Sequence, residues 1–275
     1  MREEHDSMGT VLVEEDKLWG AQTQRSLENF KIGGEKMPSE IVRAFGLLKR
    51  AAAEANAVLR PEKMTEQKCA ALTQAADEVA SGALDAHFPL VVWQTGSGTQ
   101  TNMNVNEVIA NVANAQAKQP LLHPNDDVNM SQSSNDTFPT AMHVAALLSL
   151  RREVRPALEA LIAELSRLER ENRDVIKVGR THLQDAVPLR FSQEISGWRA
   201  SLERDLSMIR LASDGLRALA LGGTAVGTGL NAPEGFDRLS AEELGRLCGE
   251  KFYTAENKFE ALSSKNEFVF SHGAL

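Results

Sequence analysis

The sequence predicts an all-α (mainly helical) fold that is organised as an elongated helix bundle. Apolar residues recur at spacings of three and four over several long stretches, which is the period of an amphipathic helix. Few segments alternate between apolar and polar residues, and strands do not alternate with helices as they do in a doubly wound sheet. Long helices with short connections pack most simply beside one another, so a bundle is the expected architecture.

Residues 1–132 are expected to form a smaller N-terminal domain that is mainly helical with short strands. Residues 11–13 have the composition of a strand, and the first amphipathic helix begins near Ser39. A second helix follows Thr65, which is a suitable N-cap. This helix should stop at Gly82, because glycine readily adopts the left-handed conformation that ends helices.

Residues 133–275 are expected to form a central domain of long helices. Pro139 is well placed as the first residue of one such helix, with Asp136 or Thr137 as its cap. The apolar stripe of this helix continues in phase beyond Pro156, so this proline should kink the helix rather than end it. The stripe predicts a long buried helix.

The composition excludes several classes of protein. The chain has 275 residues and a formal net charge of −8, which argues against binding to nucleic acid or to an anionic membrane. Its two cysteines lack the paired spacing of a disulfide framework or a thiolate metal site. There is neither an apolar signal-peptide core nor a stretch of about 20 apolar residues that would span a membrane. We therefore expect a cytoplasmic protein.

Three polar loops, at residues 94–107, 123–140 and 179–188, each adjoin a predicted helix. The loop at 123–140 has few aliphatic side chains but many hydroxyls, amides and carboxylates, so it is suited to contact a polar ligand. Free N–H groups and the helix dipole favour an anion at a helix N-terminus. The candidate residues in the three loops are Ser97, Thr99, Asn104, Ser133, Ser134, Asn135, Thr181 and His182.

Neutral donors at helix N-termini suit one kind of chemistry in particular. They bind a carboxylate, and they stabilise the charge that grows on it when a proton leaves the neighbouring carbon to give an aci-carboxylate. Thr181 and His182 lie in a predicted bend between two long helices, the second of which Pro188 should open. Because imidazole titrates near neutrality, His182 is the candidate for moving a proton to or from oxygen.

Each candidate also has a structural alternative. Ser133, Ser134 and Asn135 are residue types that cap any helix, and His182 is equally explained as a hydrogen-bonded structural histidine. A nucleophilic serine is disfavoured because no Gly-x-Ser-x-Gly elbow occurs. A metal site is disfavoured because the paired ligand spacing of zinc motifs is missing. Its ligands would be His123, Asp126, Asp127 and His143.

Several segments resemble the class II fumarases of the fumarase/aspartase superfamily, and the resemblance covers nearly the whole chain. The segments include Trp-Gln-Thr-Gly-Ser-Gly-Thr-Gln at 93–100, His-Pro-Asn-Asp at 123–126, Ser-Gln-Ser-Ser-Asn-Asp at 131–136, Gly-Arg-Thr-His-Leu-Gln-Asp at 179–185 and Leu-Gly-Gly-Thr-Ala-Val-Gly-Thr-Gly at 221–229. Their length makes chance agreement negligible.

The resemblance implies reversible hydration of fumarate to L-malate, a lyase step of the tricarboxylic acid cycle, with no metal or organic cofactor. It also implies a homotetramer whose active sites each draw on three subunits. His182 would transfer a proton to or from oxygen through a water, and His123, Asn125 and Asp126 would form a second dicarboxylate site. The residues implied to bind the substrate carboxylates are Ser97, Thr99, Ser133, Ser134, Asn135 and Thr181.

The sequence departs from the family pattern in two places. The Gly-Ser-Ser loop, which supplies the serine proposed as the carbon base, does not occur before Leu275. We therefore expect the central domain to be incomplete at its C-terminus and the chain by itself to be inactive. The connector between Asn114 and His123 is short, and Leu121 and Leu122 replace the basic residues usual there. This replacement should weaken the second site.

Two alternatives to a fumarase are kept. Aspartate ammonia-lyase shares the His-Pro-Asn-Asp and Gly-Arg-Thr-His segments, but it usually has Ser-Thr-Asn-Asp where this chain has Ser-Ser-Asn-Asp at 133–136. The other alternative is a noncatalytic helical assembly protein that uses the same fold structurally. The retention of every polar loop argues against that reading.

Overall fold

The computed structural model describes all residues from Met1 to Leu275, and it is mainly α-helical, as predicted. No helix combines the length and the apolar character that crossing a membrane requires. The helices are α1 Ala21–Asn29, α2 Ser39–Leu59, α3 Glu66–Ser81, α4 Thr99–Ala117, α5 Ser134–Ser149, α6 Arg155–Glu171, α7 Phe191–Ser213, α8 Phe236–Cys248, α9 Lys258–Ser263 and α10 Asn266–Ala274. The strands are β1 Arg2–Asp6, β2 Gly9–Val13, β3 Ile176–Thr181, β4 Gln184–Arg190, β5 Ala218–Leu219 and β6 Tyr253–Thr254.

The strands form three separate two-stranded sheets. β1 pairs antiparallel with β2, which confirms the strand expected at residues 11–13, and β3 pairs antiparallel with β4. The short strands β5 and β6 pair in parallel. Sheets of this size bury little surface, so the helices supply the core.

The chain divides into two compact units. The first contains Met1–Ala146 and Arg217–Ser264, and the second contains Leu147–Leu216 and Lys265–Leu275. The domain boundary that we expect after residue 132 stays a prediction.

In the first unit, α2 packs against α3, α4 and α8. Its buried face is rich in alanine, whose small side chain lets neighbouring helices approach closely. Gly46 is a position of close approach to α3, because a Cβ at this position would lie 2.6 Å from the backbone nitrogen of Ala80. The predicted bounds of α3 are confirmed. The Thr65 side chain accepts a hydrogen bond from the backbone N–H of Lys68, and Gly82 ends the helix with a φ of +83°.

The helix α5 begins at Ser134 instead of at Pro139 as predicted. Ser133 caps it, because its Oγ accepts the backbone N–H of Asn135 at 3.2 Å. Asp136 is not the cap, since its Oδ1 reaches back to accept the backbone N–H of Ser133 at 2.9 Å. These two hydrogen bonds satisfy N–H groups at the start of α5, and Pro139 consequently lies inside the helix.

The helical path continues from α5 through a π-helical turn at Leu150–Val154 into α6. Pro156 lies in the first turn of α6, so the predicted continuation of the helix past this proline is confirmed. The expected buried stripe is confirmed at Leu147 and Leu150, but no residue of α6 is buried, so the stripe is not buried beyond the π-helical turn. Within the second unit α6 packs mainly on α7, which covers only one side of it.

The segment before α7 is a β-hairpin and not a bend between two helices. Thr181 of β3 pairs with Gln184 of β4. Pro188 lies in β4, and α7 begins instead at Phe191. A proline is tolerated in a strand that has a partner on one side only, because no ladder hydrogen bond from its nitrogen is then needed.

Candidate active site

The first polar loop enters α4 through Gly98, the N-cap, whose φ of +70° lies in the left-handed region that favours glycine. The hydroxyls of Ser97 and Thr99 on either side of it are 2.9 Å apart and hydrogen-bonded. Ser97 is exposed and Thr99 is half-buried. The structure therefore places both predicted hydroxyls at the start of one helix.

A buried asparagine joins the start of α4 to the start of α5. Asn102 is 0% exposed, and its Nδ2 donates to Ser134 Oγ at 3.1 Å. Thr137 Oγ1 donates to Asn102 Oδ1 at 3.2 Å. This bridge holds Ser134, one of the predicted carboxylate ligands, against the helix that carries Thr99.

The glycine-rich loop at 221–229 is tied to the same region by Asp136. The carboxylate of Asp136 is buried, and its Oδ2 accepts the backbone N–H groups of Gly222 at 3.0 Å and Thr224 at 2.8 Å. Burial raises the pKa of Asp136, and the backbone hydrogen bonds that it accepts oppose this rise. Asn135, which is exposed beside it, donates from Nδ2 to the carbonyl oxygen of Ala225 at 2.7 Å.

Lys49 of α2 lies at the centre of this network and is 0% exposed. Its Nζ donates to Asn102 Oδ1 at 2.7 Å, Asn129 Oδ1 at 3.0 Å and Gln132 Oε1 at 2.9 Å. No carboxylate lies within ion-pair distance of this ammonium. Burial lowers the pKa of Lys49 to about 7, and the charge on Asp136 opposes that shift.

Lys49 is absent from the predicted site residues, although its position carries a signal. It lies four residues after Phe45 and three before Ala52, which places it on the apolar face of α2. A lysine at such a position must be buried and hydrogen-bonded if the helix is correctly phased. Asn129 and Gln132 carry no comparable signal, since polar loop residues are common.

The residues expected to form a second dicarboxylate site are close in sequence and exposed. His123 precedes a π-helical turn at Pro124–Val128, and its Nδ1 accepts the backbone N–H of Asp126 at 3.2 Å. A cavity of about 560 Å³ is lined by His123 and Asn125 and also by Thr99. The structure thus brings two of the three predicted second-site residues to the same cavity as Thr99, whereas Asp126 is not part of its lining.

The alternative metal site is not assembled. Asp127 accepts the backbone N–H of His123 at 2.8 Å and pairs with the ammonium of Lys68 at 2.6 Å. Nowhere in the chain do three or more His, Cys, Asp or Glu side chains come together as a metal site requires.

Thr181 and His182 lie at the tip of the hairpin in the second unit, and both are exposed. His182 has φ +49° and the following Leu183 has φ +60°. Two-residue turns of this kind usually use Asn-Gly, because positive φ strains other side chains by about 1–3 kcal/mol per residue. The His182 ring makes no hydrogen bond within the chain.

The two units divide the candidate residues between them. Thr181 and His182 belong to the second unit, and the remaining candidates belong to the first. Joint action of these two residues with the rest therefore stays a prediction.

These features define a mainly helical protein with neutral hydrogen-bond donors at helix N-termini, an arrangement that suits a small carboxylate. A sequence profile described as Lyase matches residues 9–275. The chain belongs to this lyase family.

Several proteins with similar sequences or structures are class II fumarate hydratases or related lyases. The chain is 55% identical to fumarate hydratase class II from Bacillus subtilis (strain 168), with 100% of this chain and 60% of the relative covered. Class II fumarase from Schistosoma mansoni has a similar structure, with a TM-score of 0.95 at 40% identity over 99% of this chain and 61% of that chain. Fumarate lyase:delta crystallin from Brucella melitensis gives a TM-score of 0.90 at 38% identity over 100% of this chain and 60% of that chain. The chain thus spans about 60% of the length of its bacterial relative.

Proposed function

We propose that this chain carries part of the active site of a class II fumarate hydratase, which interconverts fumarate and L-malate. The observation that carries the proposal is the cluster of neutral donors at the starts of α4 and α5, where Asn102 holds Ser134 beside the helix that begins at Thr99. The similarity to class II fumarate hydratases supports the choice of a dicarboxylate as the ligand.

The donors have a chemical role beyond binding. Removing a proton from the carbon next to a carboxylate moves charge onto that carboxylate, and donors already in place stabilise the resulting aci-carboxylate. We assign this role to Ser97, Thr99, Ser133, Ser134, Asn135 and Thr181. No metal or organic cofactor is needed for such a step.

His182 is assigned the transfer of a proton to or from oxygen, through a water. Three observations support this assignment: the ring is exposed, makes no hydrogen bond within the chain, and sits in a turn with positive φ. Strained, exposed side chains without structural partners are typical of functional positions.

The second dicarboxylate site is proposed at His123, Asn125 and Asp126. The cavity that His123 and Asn125 share with Thr99 supports a location beside the substrate residues. Leu121 and Leu122 contribute no positive charge there, so we expect this site to bind a dicarboxylate more weakly than the main site does.

The proposal extends to assembly and location. The division of the candidate residues between two units is compatible with active sites built from three subunits of a homotetramer. Light scattering would give a mass four times that of the chain in this case. We further propose that the protein acts in the cytoplasm, in the tricarboxylic acid cycle.

The test follows the absorbance of the fumarate double bond after L-malate and, separately, L-aspartate are added to the protein, together with calorimetric titration of succinate. Appearance of fumarate from malate alone supports the proposal, and appearance from aspartate alone replaces it with an aspartate ammonia-lyase. Without turnover, succinate binding that Ser134→Ala weakens still supports the proposed dicarboxylate site. If the protein shows no turnover and also binds no succinate, the proposal is overturned in favour of a structural role.

A further inference from the structure

Lys49 is a buried cation with no partner of opposite charge. Its ammonium is 0% exposed and contacts three side-chain amide oxygens, from Asn102, Asn129 and Gln132. An ammonium has three N–H donors, so all of them are used. The hydrogen bonds solvate the charge, but they leave it uncompensated.

The ammonium dictates the orientation of the three amides, because it can only donate. Each amide oxygen faces Nζ, so each NH₂ group must point away from it. The Gln132 Nε2 accordingly donates to the carbonyl oxygens of Val128 and Met130, at 3.2 and 2.9 Å. The Asn129 Nδ2 points toward the carbonyl oxygen of Gln132, at 3.4 Å.

The consequence for Ser134 follows from Asn102. With its oxygen on Lys49, Asn102 directs its Nδ2 to Asn129 Oδ1 and to Ser134 Oγ, both at 3.1 Å. Ser134 Oγ is therefore an acceptor within the protein. Its own hydroxyl proton remains available to donate to a ligand, which is what a carboxylate requires.

We propose that Lys49 is a positioning residue of the dicarboxylate site: its charge sets the hydrogen-bond direction of the Asn102 amide, so that the Ser134 hydroxyl donates to the ligand. This inference rests on the proposed function and deepens it. The ammonium also places a positive charge behind the donors, in a setting where water does not screen it. An anion bound at Ser134 supplies the negative charge that the buried network lacks.

The first test is Lys49→Met, which keeps the length of the side chain and removes the charge and the donors. The readout is the dissociation constant of succinate, a dicarboxylate without a reactive double bond, measured by calorimetry at about pH 6, below the pKa of about 7 of Lys49, so that its ammonium is charged. We expect an increase of about 10- to 100-fold, because one oriented hydrogen bond to a charged group is lost. Arg50→Met is the matched control: it removes the same charge from the next residue, whose guanidinium pairs with Asp77 and Glu54 outside the network. The dissociation constant of succinate from Arg50→Met should differ from that of the unaltered protein by about twofold or less.

A second variant separates positioning from stability. Asn102→Asp keeps the shape of the side chain and gives Lys49 a carboxylate partner, so the fold should survive. The new carboxylate can only accept, and Ser134 must then donate to it instead of to the ligand. We expect a cooperatively folded variant that binds succinate about tenfold or more weakly. A residue with a merely structural role would leave succinate affinity unchanged once the fold is intact.

The outcomes distinguish this inference from the proposed function. If Ser134→Ala weakens succinate binding but folded Lys49→Met and Asn102→Asp bind it normally, the role of Lys49 is overturned and the proposed site stands. If the unaltered protein shows neither turnover nor succinate binding, both are overturned. If Lys49→Met does not fold, the succinate affinity of Asn102→Asp decides the role of Lys49: weaker binding supports it, and unchanged binding overturns it.

Discussion

Gly98 lies directly against the ring of Phe138, because a Cβ added to Gly98 would fall 2.2 Å from two carbons of that ring. The N-cap of α4 therefore touches α5 near its start, at a position that tolerates no side chain. This contact complements the hydrogen bond from Asn102 to Ser134 and places the two groups of candidate donors in one region of the first unit.

Gly98→Ala should destabilise the protein by about 2–4 kcal/mol, since it adds the strain of a positive φ to an overpacked contact. Urea unfolding monitored by circular dichroism measures the change. Gly96→Ala is the control, because its added Cβ meets nothing within 4 Å. That variant should remain within about 0.5 kcal/mol of the unaltered protein. Equal stability of both variants would contradict the contact.

Asp136→Asn should destabilise the protein by about 2–4 kcal/mol, because an amide replaces a buried carboxylate that accepts backbone hydrogen bonds from Ser133, Gly222 and Thr224. One N–H donor would then face the NH₂ group of the new asparagine. The exposed Asp126 gives the matched control Asp126→Asn, whose unfolding free energy should barely change. An equal decrease in the free energy of unfolding in both variants would show that the hydrogen bonds between Asp136 and the loop at 221–229 do not stabilise the fold.

Ser134→Ala should weaken succinate binding by about 1–3 kcal/mol, because a hydrogen bond to a charged group is lost. Calorimetric titration gives the affinity directly. Ser263→Ala serves as the control, since its hydroxyl only bonds carbonyl oxygens of its own helix, α9. An unchanged affinity in Ser134→Ala would remove this serine from the proposed site.

His182→Asn should lower the rate of fumarate hydration by about 10²–10⁴-fold, because a proton-transfer group is lost. Stability should be kept, since asparagine tolerates the positive φ at this position at least as well as histidine does. The rate is measured from the absorbance of fumarate in a protein preparation with demonstrated turnover. His272→Asn, at an exposed histidine of α10, is the control. Normal turnover in His182→Asn would refute the assigned role.

Lys49 predicts a specific dependence of stability on pH. Burial lowers its pKa from 10.5 to about 7. Between these values the unfolded chain binds the proton and the folded chain has released it, so raising the pH across this window favours folding. The contribution of Lys49 to the free energy of unfolding should increase by at most about 1.4 kcal/mol per pH unit. Urea unfolding at several pH values measures it as the difference from Lys49→Met, which lacks this titration. A difference independent of pH would contradict the shift.

Features set by neighbouring residues were predictable from the sequence. The helix α3 starts after Thr65 and ends at Gly82 as expected, because N-capping and the left-handed C-terminal residue involve only a few consecutive residues. The same holds for the polar loops, whose composition alone marked Ser97 and Ser134. At the start of α5 two local rules competed: the preference of proline for the first helical position favoured Pro139, but capping by the Ser133 side chain moved the start of the helix upstream.

The hairpin at β3 and β4 shows where local rules were insufficient. Pro188 is a suitable opening residue for a helix, yet cross-strand pairing of residues 176–181 with residues 184–190 places it in a strand. The stability of β4 depends on its pairing with β3, and the spacing of apolar residues in the sequence does not show that such a partner strand exists. The exposed, strained turn at His182 is a consequence of that pairing.

The helical class, the polar loops and the family resemblance could be deduced from the order of the amino acids alone, because these features reside in periodicity, caps and contiguous segments. That three amide oxygens surround Lys49 follows only from the folded chain, since these partners lie 53, 80 and 83 residues away in sequence. The helical phase of α2 signals that Lys49 is buried, but the identity and direction of its hydrogen bonds depend on which groups the fold brings together, and contacts between such distant residues have no local signature.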